Sequence, residues 1–183
     1  MAPFLRKTDP HALAVAMTTV KMGDQLLLIG CAEGGRLGAI AVKVGLSGRA
    51  VAVVADENSA VRMKRGAAEA GALVDVQMSP LTALPLETGG FDLAVLDDTG
   101  GLLVSLRPED RVALVREIAR VLKSRGRVIV IGAVPRGGLG AMFTRAQSGP
   151  SFDPQPSLEA DGFRFVRLLG EREGLKFVEG VKV

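Results

Sequence analysis

Gln25-Leu26-Leu27-Leu28-Ile29-Gly30-Cys31-Ala32-Glu33-Gly34-Gly35 is the stretch that decides the fold. Leu26 to Ile29 is apolar at every position rather than at alternate ones. That pattern marks a strand covered on both faces, as in a parallel sheet between two helical layers. Gly30 stops it. The glycine-rich segment Gly30 to Gly38 then opens a helix that reaches about Val44. Strand, glycine loop and helix in this order form the first unit of a βαβ crossover.

The rest of the chain repeats the pattern in both directions. Upstream, Asp9 and Pro10 read as the N-cap and first position of a helix running to Val20, and Met22-Gly23-Asp24 is a turn. Downstream, Gly45 to Gly48 is a turn, and Arg49 to Ala55 is a valine-rich strand that ends at Asp56. Ser59 to Ala70 is helical and is stopped by Gly71. Ala72 to Gln77 is a third strand, Pro80 to Gly90 a loop, and Phe91 to Leu96 a fourth strand ending at Asp97-Asp98. Pro108 to Lys123 carries Val112, Val115, Ile118, Ala119 and Leu122 at helical spacing, with Gly126 as its stop. Arg127 to Ala133 is a fifth strand. Pro135 to Pro156 is rich in Gly, Pro and Ser and reads as a long functional loop. Ser157 to Ala160 starts a short helical turn. Arg164 to Leu169 and Leu175 to Lys182, joined across Gly170 to Gly174, read as an antiparallel hairpin. The expectation is one α/β domain over residues 1–183.

Composition supports this reading. Hydrophobic residues make up 48% of the 183, enough for a core, while aromatics are 4% with no Trp or Tyr, so the core is aliphatic. The net charge of +3 is spread among acids. The runs Arg62-Lys64-Arg65 and Lys123-Arg125-Arg127 read as solvated helix faces. With so few aromatics for base stacking, this argues against a nucleic-acid surface. Cys31 and His11 are the only residues of their types, so neither a disulfide nor a metal site is expected. The polar start, Met1 to Pro10, does not read as a secretory signal, and the apolar runs are too short to span a membrane. These features point to a cytoplasmic protein.

Three features meet at the strand carboxyl ends, where open parallel sheets bind ligands. They are the glycine loop Gly30 to Gly35, Asp56 after the second strand, and Leu96-Asp97-Asp98 after the fourth. Each has a plainer reading. The loop is also ordinary turn geometry, Asp56 or Ser59 also caps the next helix, and Asp98 before Gly100-Gly101 also serves local hydrogen bonding. A nicotinamide-binding domain is a further alternative. Gly30-x-Ala32-x-x-Gly35 loosely matches the dinucleotide fingerprint, with Asp56 as the ribose acid. The C-terminal hairpin favours a different topology.

Lys43 to Asp56, Leu84-Pro85-Leu86, Phe91 to Leu96, Ile118 to Gly132 and Ala160-Asp161-Gly162-Phe163 together resemble class I S-adenosylmethionine-dependent methyltransferases. They look most like the ubiquinone and menaquinone biosynthesis C-methyltransferase (type 11) group. The resemblance implies a Rossmann-like, seven-stranded, mostly parallel sheet with a C-terminal antiparallel hairpin. It implies S-adenosylmethionine as cofactor and a small or moderately apolar acceptor, with homo-oligomerisation open. Carried over by position, the cofactor-binding set is Gly30, Cys31, Ala32, Gly34, Asp56, Glu57, Ser79, Pro80 and Leu96. The methionine part runs along Gly30 to Gly34, and the ribose lies at Asp56. The adenine rests between Glu57 and Met78 to Leu81, with backbone N–H groups near Ser79 as its partners. Asp97 and Asp98 are the candidate proton acceptors. The chain departs from the family's Asp/Glu-x-Gly-x-Gly-x-Gly motif at Leu28, where an acid usually helps hold the cofactor's amino group, and at Ala32. It departs again at Pro80, where the family has an adenine-contacting Asp. These departures define the alternative of a methyltransferase-like binding protein without transfer activity.

Overall fold

The computed structural model describes residues 9–134 and 152–183. The apolar run is a strand, β1 (Gln25–Ile29), and the glycine loop leads into α2 (Gly34–Ala41), with α1 (Ala12–Thr18) before them. There follow β2 (Arg49–Val54), α3 (Glu57–Ala70), β3 (Val74–Met78), β4 (Phe91–Asp98), α4 (Leu102–Ser105), α5 (Pro108–Val121), β5 (Leu122–Ala133), α6 (Gln155–Ala160), β6 (Phe163–Arg172) and β7 (Leu175–Lys182). The seven strands form one sheet in the order β3-β2-β1-β4-β5-β7-β6. The first five are parallel, and β7 is antiparallel to both its neighbours. This is the Rossmann-like methyltransferase arrangement that the sequence implies. The inserted β7 separates it from the parallel dinucleotide-binding sheet.

β1 is central, and its side chains alternate between two cores. Leu27 and Ile29 join Ala94, Leu96, Val128 and Val130 under α5 and α6. Leu26 and Leu28 join Ala52, Val54, Leu93 and Val95 under α1, α2 and α3. Burial on both faces is the physical reason for the unbroken apolar run.

α2 and α3 touch through glycine. A Cβ on Gly34 would overlap the Arg62 carbonyl, one on Gly38 the Gly66 carbonyl, and one on Gly66 the backbone of Gly34. The missing side chains bring backbone against backbone and press the start of α2 onto α3.

Three elements differ from expectation. The helix α5 ends at Val121, and Leu122 already pairs with Phe91, so β5 begins five residues early with Gly126 inside it. Leu122 is fully buried and Lys123 Nζ reaches Asp92 Oδ1 at 2.7 Å, and both contacts hold this segment against β4. The short helix α4 stands in a stretch to which the sequence pattern assigned no element. Asp98 nucleates it by accepting the Leu103 N–H at 2.6 Å. α6 takes in Gln155 and Pro156 from the expected loop, whose residues 135–151 lie outside the described ones.

The hairpin is tied to the sheet by charge. Glu179 of β7 is buried, and its carboxylate accepts from Arg127 of β5 at 3.1 Å and from Arg167 of β6 at 3.0 Å.

Gly66→Ala tests the helix contact. Alanine favours a helix over glycine by about 1 kcal/mol, but here its methyl has no room, and overpacking costs about 1–3 kcal/mol. Urea denaturation is expected to show a net loss of stability, whereas Gly71→Asn at the exposed helix end stays near the parent.

Candidate active site

β1, β2 and β4 are neighbours in parallel register, with Ile29 opposite both Val53 and Leu96. Their carboxyl ends therefore bring the glycine loop, Asp56 and Asp97-Asp98 to one edge of the sheet, as the sequence predicts. Gly30 turns the chain at a φ of 72°, and a Cβ there would lie 3.0 Å from both the Asp97 carbonyl and Leu102 Cδ2. Only glycine fits this position, because the left-handed backbone and the close approach both exclude a side chain.

Asp97 is the centre of the edge. Its carboxyl is completely buried. Oδ2 accepts the N–H groups of Ala32 at 2.9 Å and Glu33 at 3.3 Å. Oδ1 accepts the Thr99 hydroxyl at 2.6 Å, the Thr99 N–H at 3.2 Å and Arg36 Nη1 at 3.3 Å. Arg36 also donates to the Thr99 hydroxyl oxygen at 2.9 Å and to the Glu33 carboxylate. His11 Nδ1 stands 3.7 Å from Glu33 Oε1, with its ring against Gly35. A buried carboxylate is tolerated when it is paired and fully hydrogen-bonded, and five donors meet that condition.

Asp98, the next residue, faces the opposite layer. It is 7% exposed, and Oδ1 holds the Leu103 N–H. Burial pushes its carboxyl up to about 6, and the charge of Asp97 adds to the effect. Asp98 thus has its carboxyl drawn toward neutral pH.

Asp56 lies exposed beyond β2 and caps α3. Its oxygens accept the Ser59 N–H at 2.8 Å and the Ser59 hydroxyl at 2.7 Å, which hold the carboxyl below its ordinary range. Arg62 is half-buried rather than part of a solvated run, and donates to the Cys31 carbonyl at 2.9 Å and to Ser59 Oγ at 2.8 Å. Cys31 is buried with its thiol pushed up to about 11, chiefly by that burial and then by Asp97, so it is neutral and not a nucleophile.

The other predicted residues sit as follows. Ala32 and Glu57 are exposed at the edge, and Gly34 is buried against α3. Leu96 is 1% exposed and belongs to the core under α5, so its side chain does not reach the edge. Pro80 is exposed and Met78 presents apolar surface beside it. The Ser79 N–H, expected to meet a ligand, already donates to the Val54 carbonyl at 3.1 Å. Reading the sequence missed Arg36, Thr99 and His11. Arg36 left one local signal: a cation in the first turn of a helix opposes the macrodipole unless an acid is nearby. Among the described residues no cluster of three or more His, Cys, Asp or Glu could hold a metal, and no helix is long and apolar enough to cross a membrane.

Comparison with known proteins places this geometry. A family described as "Methyltransferase domain" matches residues 26–126, from β1 through the start of β5. Among solved structures, a SAM-dependent methyltransferase from Aquifex aeolicus superposes with a TM-score of 0.73 at 19% identity, over 93% of this chain and 88% of that one. The YcgJ protein of Bacillus subtilis gives 0.65 at 15% identity over 93% and 96%. PigF, solved with SAH, gives 0.63 at 17% identity over 93% and 54%. At these identities the structures show a shared fold. No curated protein matches the chain in sequence.

The Asp98 carboxyl makes a pH prediction. Its value in the folded protein, about 6, lies above the ordinary 3.8, so the folded state binds the proton more tightly. This contribution to stability is complete at low pH and is lost as pH rises through about 6. Asp98→Asn keeps an oxygen for Leu103 and removes the charge. Denaturation curves are expected to show the variant gaining on the parent between pH 4 and 6, by on the order of 2 kcal/mol above that window.

Proposed function

The chain belongs to the methyltransferase domain family, and from that premise we propose that it transfers a methyl group from S-adenosylmethionine to a small or moderately apolar acceptor. The finer assignment to quinone-type acceptors rests on the sequence resemblance alone. S-adenosylmethionine supplies an activated methyl on a sulfonium, so the protein's task is to align donor and acceptor and exclude water.

The observation that carries the reading is the placement of Asp56. It is an exposed carboxylate at the end of β2, one strand away from a glycine loop whose Ala32 and Glu33 stand exposed. Each Asp56 oxygen keeps a lone pair beyond its bond to Ser59, enough to accept both hydroxyls of a ribose. Met78, 57% exposed beside Pro80, offers an apolar face for an adenine. The donor set therefore fits the nucleoside part of the cofactor, with Glu57, Ser79 and Pro80 as walls. Cys31, Ala32 and Gly34 belong to the loop that the methionine part follows. On the acceptor side, Asp98 opens onto α4, which is apolar through Leu102, Leu103 and Val104, with Leu106 after it. Asp98 takes the proton that the acceptor sheds as its new bond to the methyl carbon forms. A carboxyl near 6 suits that role at neutral pH.

Calorimetry with S-adenosylhomocysteine tests the reading. The parent is expected to bind. Asp56→Asn keeps a good helix cap but halves the acceptor capacity toward the ribose, and a loss of about 10- to 100-fold in affinity is expected for a hydrogen bond to a charged group. A parent that releases no heat at millimolar ligand contradicts the function and leaves a methyltransferase-like binding protein. Equal affinities in parent and variant place the ribose elsewhere.

A further inference from the structure

We propose that Asp97 is a positioning residue that sets the glycine loop for the methyl donor and fixes its distance from the acceptor base, a task for which β1 offers only Leu28. The proposal rests on S-adenosylmethionine being the donor.

Leu28 and Asp97 face the same layer of the sheet. Leu28 pairs with Val95 across β1 and β4, and Asp97 lies two residues further along β4 on the side of Val95. Leu28 is fully buried among leucines and alanines and has no polar atom to offer the loop. The loop needs one. The N–H groups of Ala32 and Glu33 come just before the first turn of α2, where no helical carbonyl serves them. Both end on Asp97 Oδ2, at 2.9 and 3.3 Å. The strand beside β1 thus supplies the carboxylate that shapes the loop.

The charge does not compete with a ligand's own carboxylate, because Arg36 neutralises it from within α2 and Thr99 completes the shell. Arg36 Nη2 donates to Glu33, on the outer side of the same loop. A closed circuit results: Asp97 holds Ala32 and Glu33, Glu33 holds Arg36, and Arg36 holds Asp97. Asp97 has both oxygens engaged in it and no exposed surface, so it leaves the proton-accepting role to Asp98.

The circuit has a metric consequence. Asp97 and Asp98 are consecutive residues of β4 whose side chains leave opposite faces of the sheet. Asp97 fixes the loop on the α2 face, and Asp98 meets α4 on the other face. One peptide unit of a central strand therefore separates the donor loop from the acceptor base. A flexible hinge there would lose alignment, and small misplacements of reacting groups are costly in rate.

The test uses the full-length protein, Asp97→Asn and Arg36→Met. Hydrogen exchange read at Ala32 and Glu33 in the ligand-free protein reports the circuit. Calorimetry with S-adenosylhomocysteine reports its use. In both variants the two amides are expected to exchange at least tenfold faster while β4 and β5 stay protected, and affinity is expected to fall about 10- to 100-fold. Arg36→Met leaves the Asp97 carboxyl in place, so it reads the circuit even where Asp97→Asn does not fold. Leu replacing both Asp97 and Arg36 separates positioning from support. An apolar pair restores stability in many buried ion-pair sites, and here stability is expected to recover while affinity does not. Parent-like affinity in Asp97→Asn, or recovery of affinity with stability in the double variant, overturns the proposal. A parent that fails to bind S-adenosylhomocysteine overturns the donor reading instead. Faster Ala32 and Glu33 exchange in the variants would then still support the loop-holding half.

Discussion

One buried carboxylate sets the terms for the functional edge of this protein. Asp97 lies at the end of β4, the middle strand of the seven, with no exposed side-chain surface. Removing a charge from water is costly, so the fold must surround it with donors. The donors come from two places: the loop after β1 and the start of α2 on one side, and Thr99 of its own turn on the other. Satisfying Asp97 therefore fixes where α2 begins, how the glycine loop curves, and how the turn after β4 leaves the sheet. Gly30 makes room for this junction, since its α-carbon faces the Asp97 carbonyl where any side chain would intrude.

The helical layer makes the same junction rigid from outside. The glycine contact between α2 and α3 lets Arg62 reach the Cys31 carbonyl, and Ser59 links Arg62 to Asp56. The loop is gripped by β4 from below and by α3 from the side. The result is an edge whose polar atoms are largely committed to one another, with Asp56, Asp98 and the exposed face of the loop left for a partner. The altered glycine motif does not leave a slack loop, because its support comes from other strands.

The fold was legible because strands buried on both faces appear as unbroken apolar runs, and those runs alternate with helical periodicity. The boundary at Leu122 was not. Leu122-Lys123-Ser124-Arg125-Gly126 reads locally as a helix end, and only the pairing of Leu122 with Phe91 turns it into strand. At the candidate site, the placement of Asp56 at the carboxyl end of β2 was legible. The different surroundings of Asp97 and Asp98 were not, since two adjacent acids look alike in sequence. They differ because neighbouring residues of a strand face opposite layers. Three of the five donors to Asp97 come from more than sixty residues earlier in the chain, a separation no local pattern records. The bond of the Ser79 N–H has the same character, because the Val54 carbonyl that takes it belongs to the neighbouring strand.

The place of β7 has a kinetic consequence. β6 and β7 are joined by the tight turn Glu173-Gly174, both residues with positive φ, so this hairpin is local and forms in about 1–10 μs. Its union with β5 is non-local and is the slower step. The pairing with β5 must also find its register across a long separation in the chain. Slipping by one residue sends Phe177 and Val178 to the wrong layers and moves Glu179 away from Arg127. A slipped register would hold a carboxylate in the interior without that partner, which is costly. In this sheet, the register of β7 on β5 is therefore specified by an ion pair as well as by the two cores.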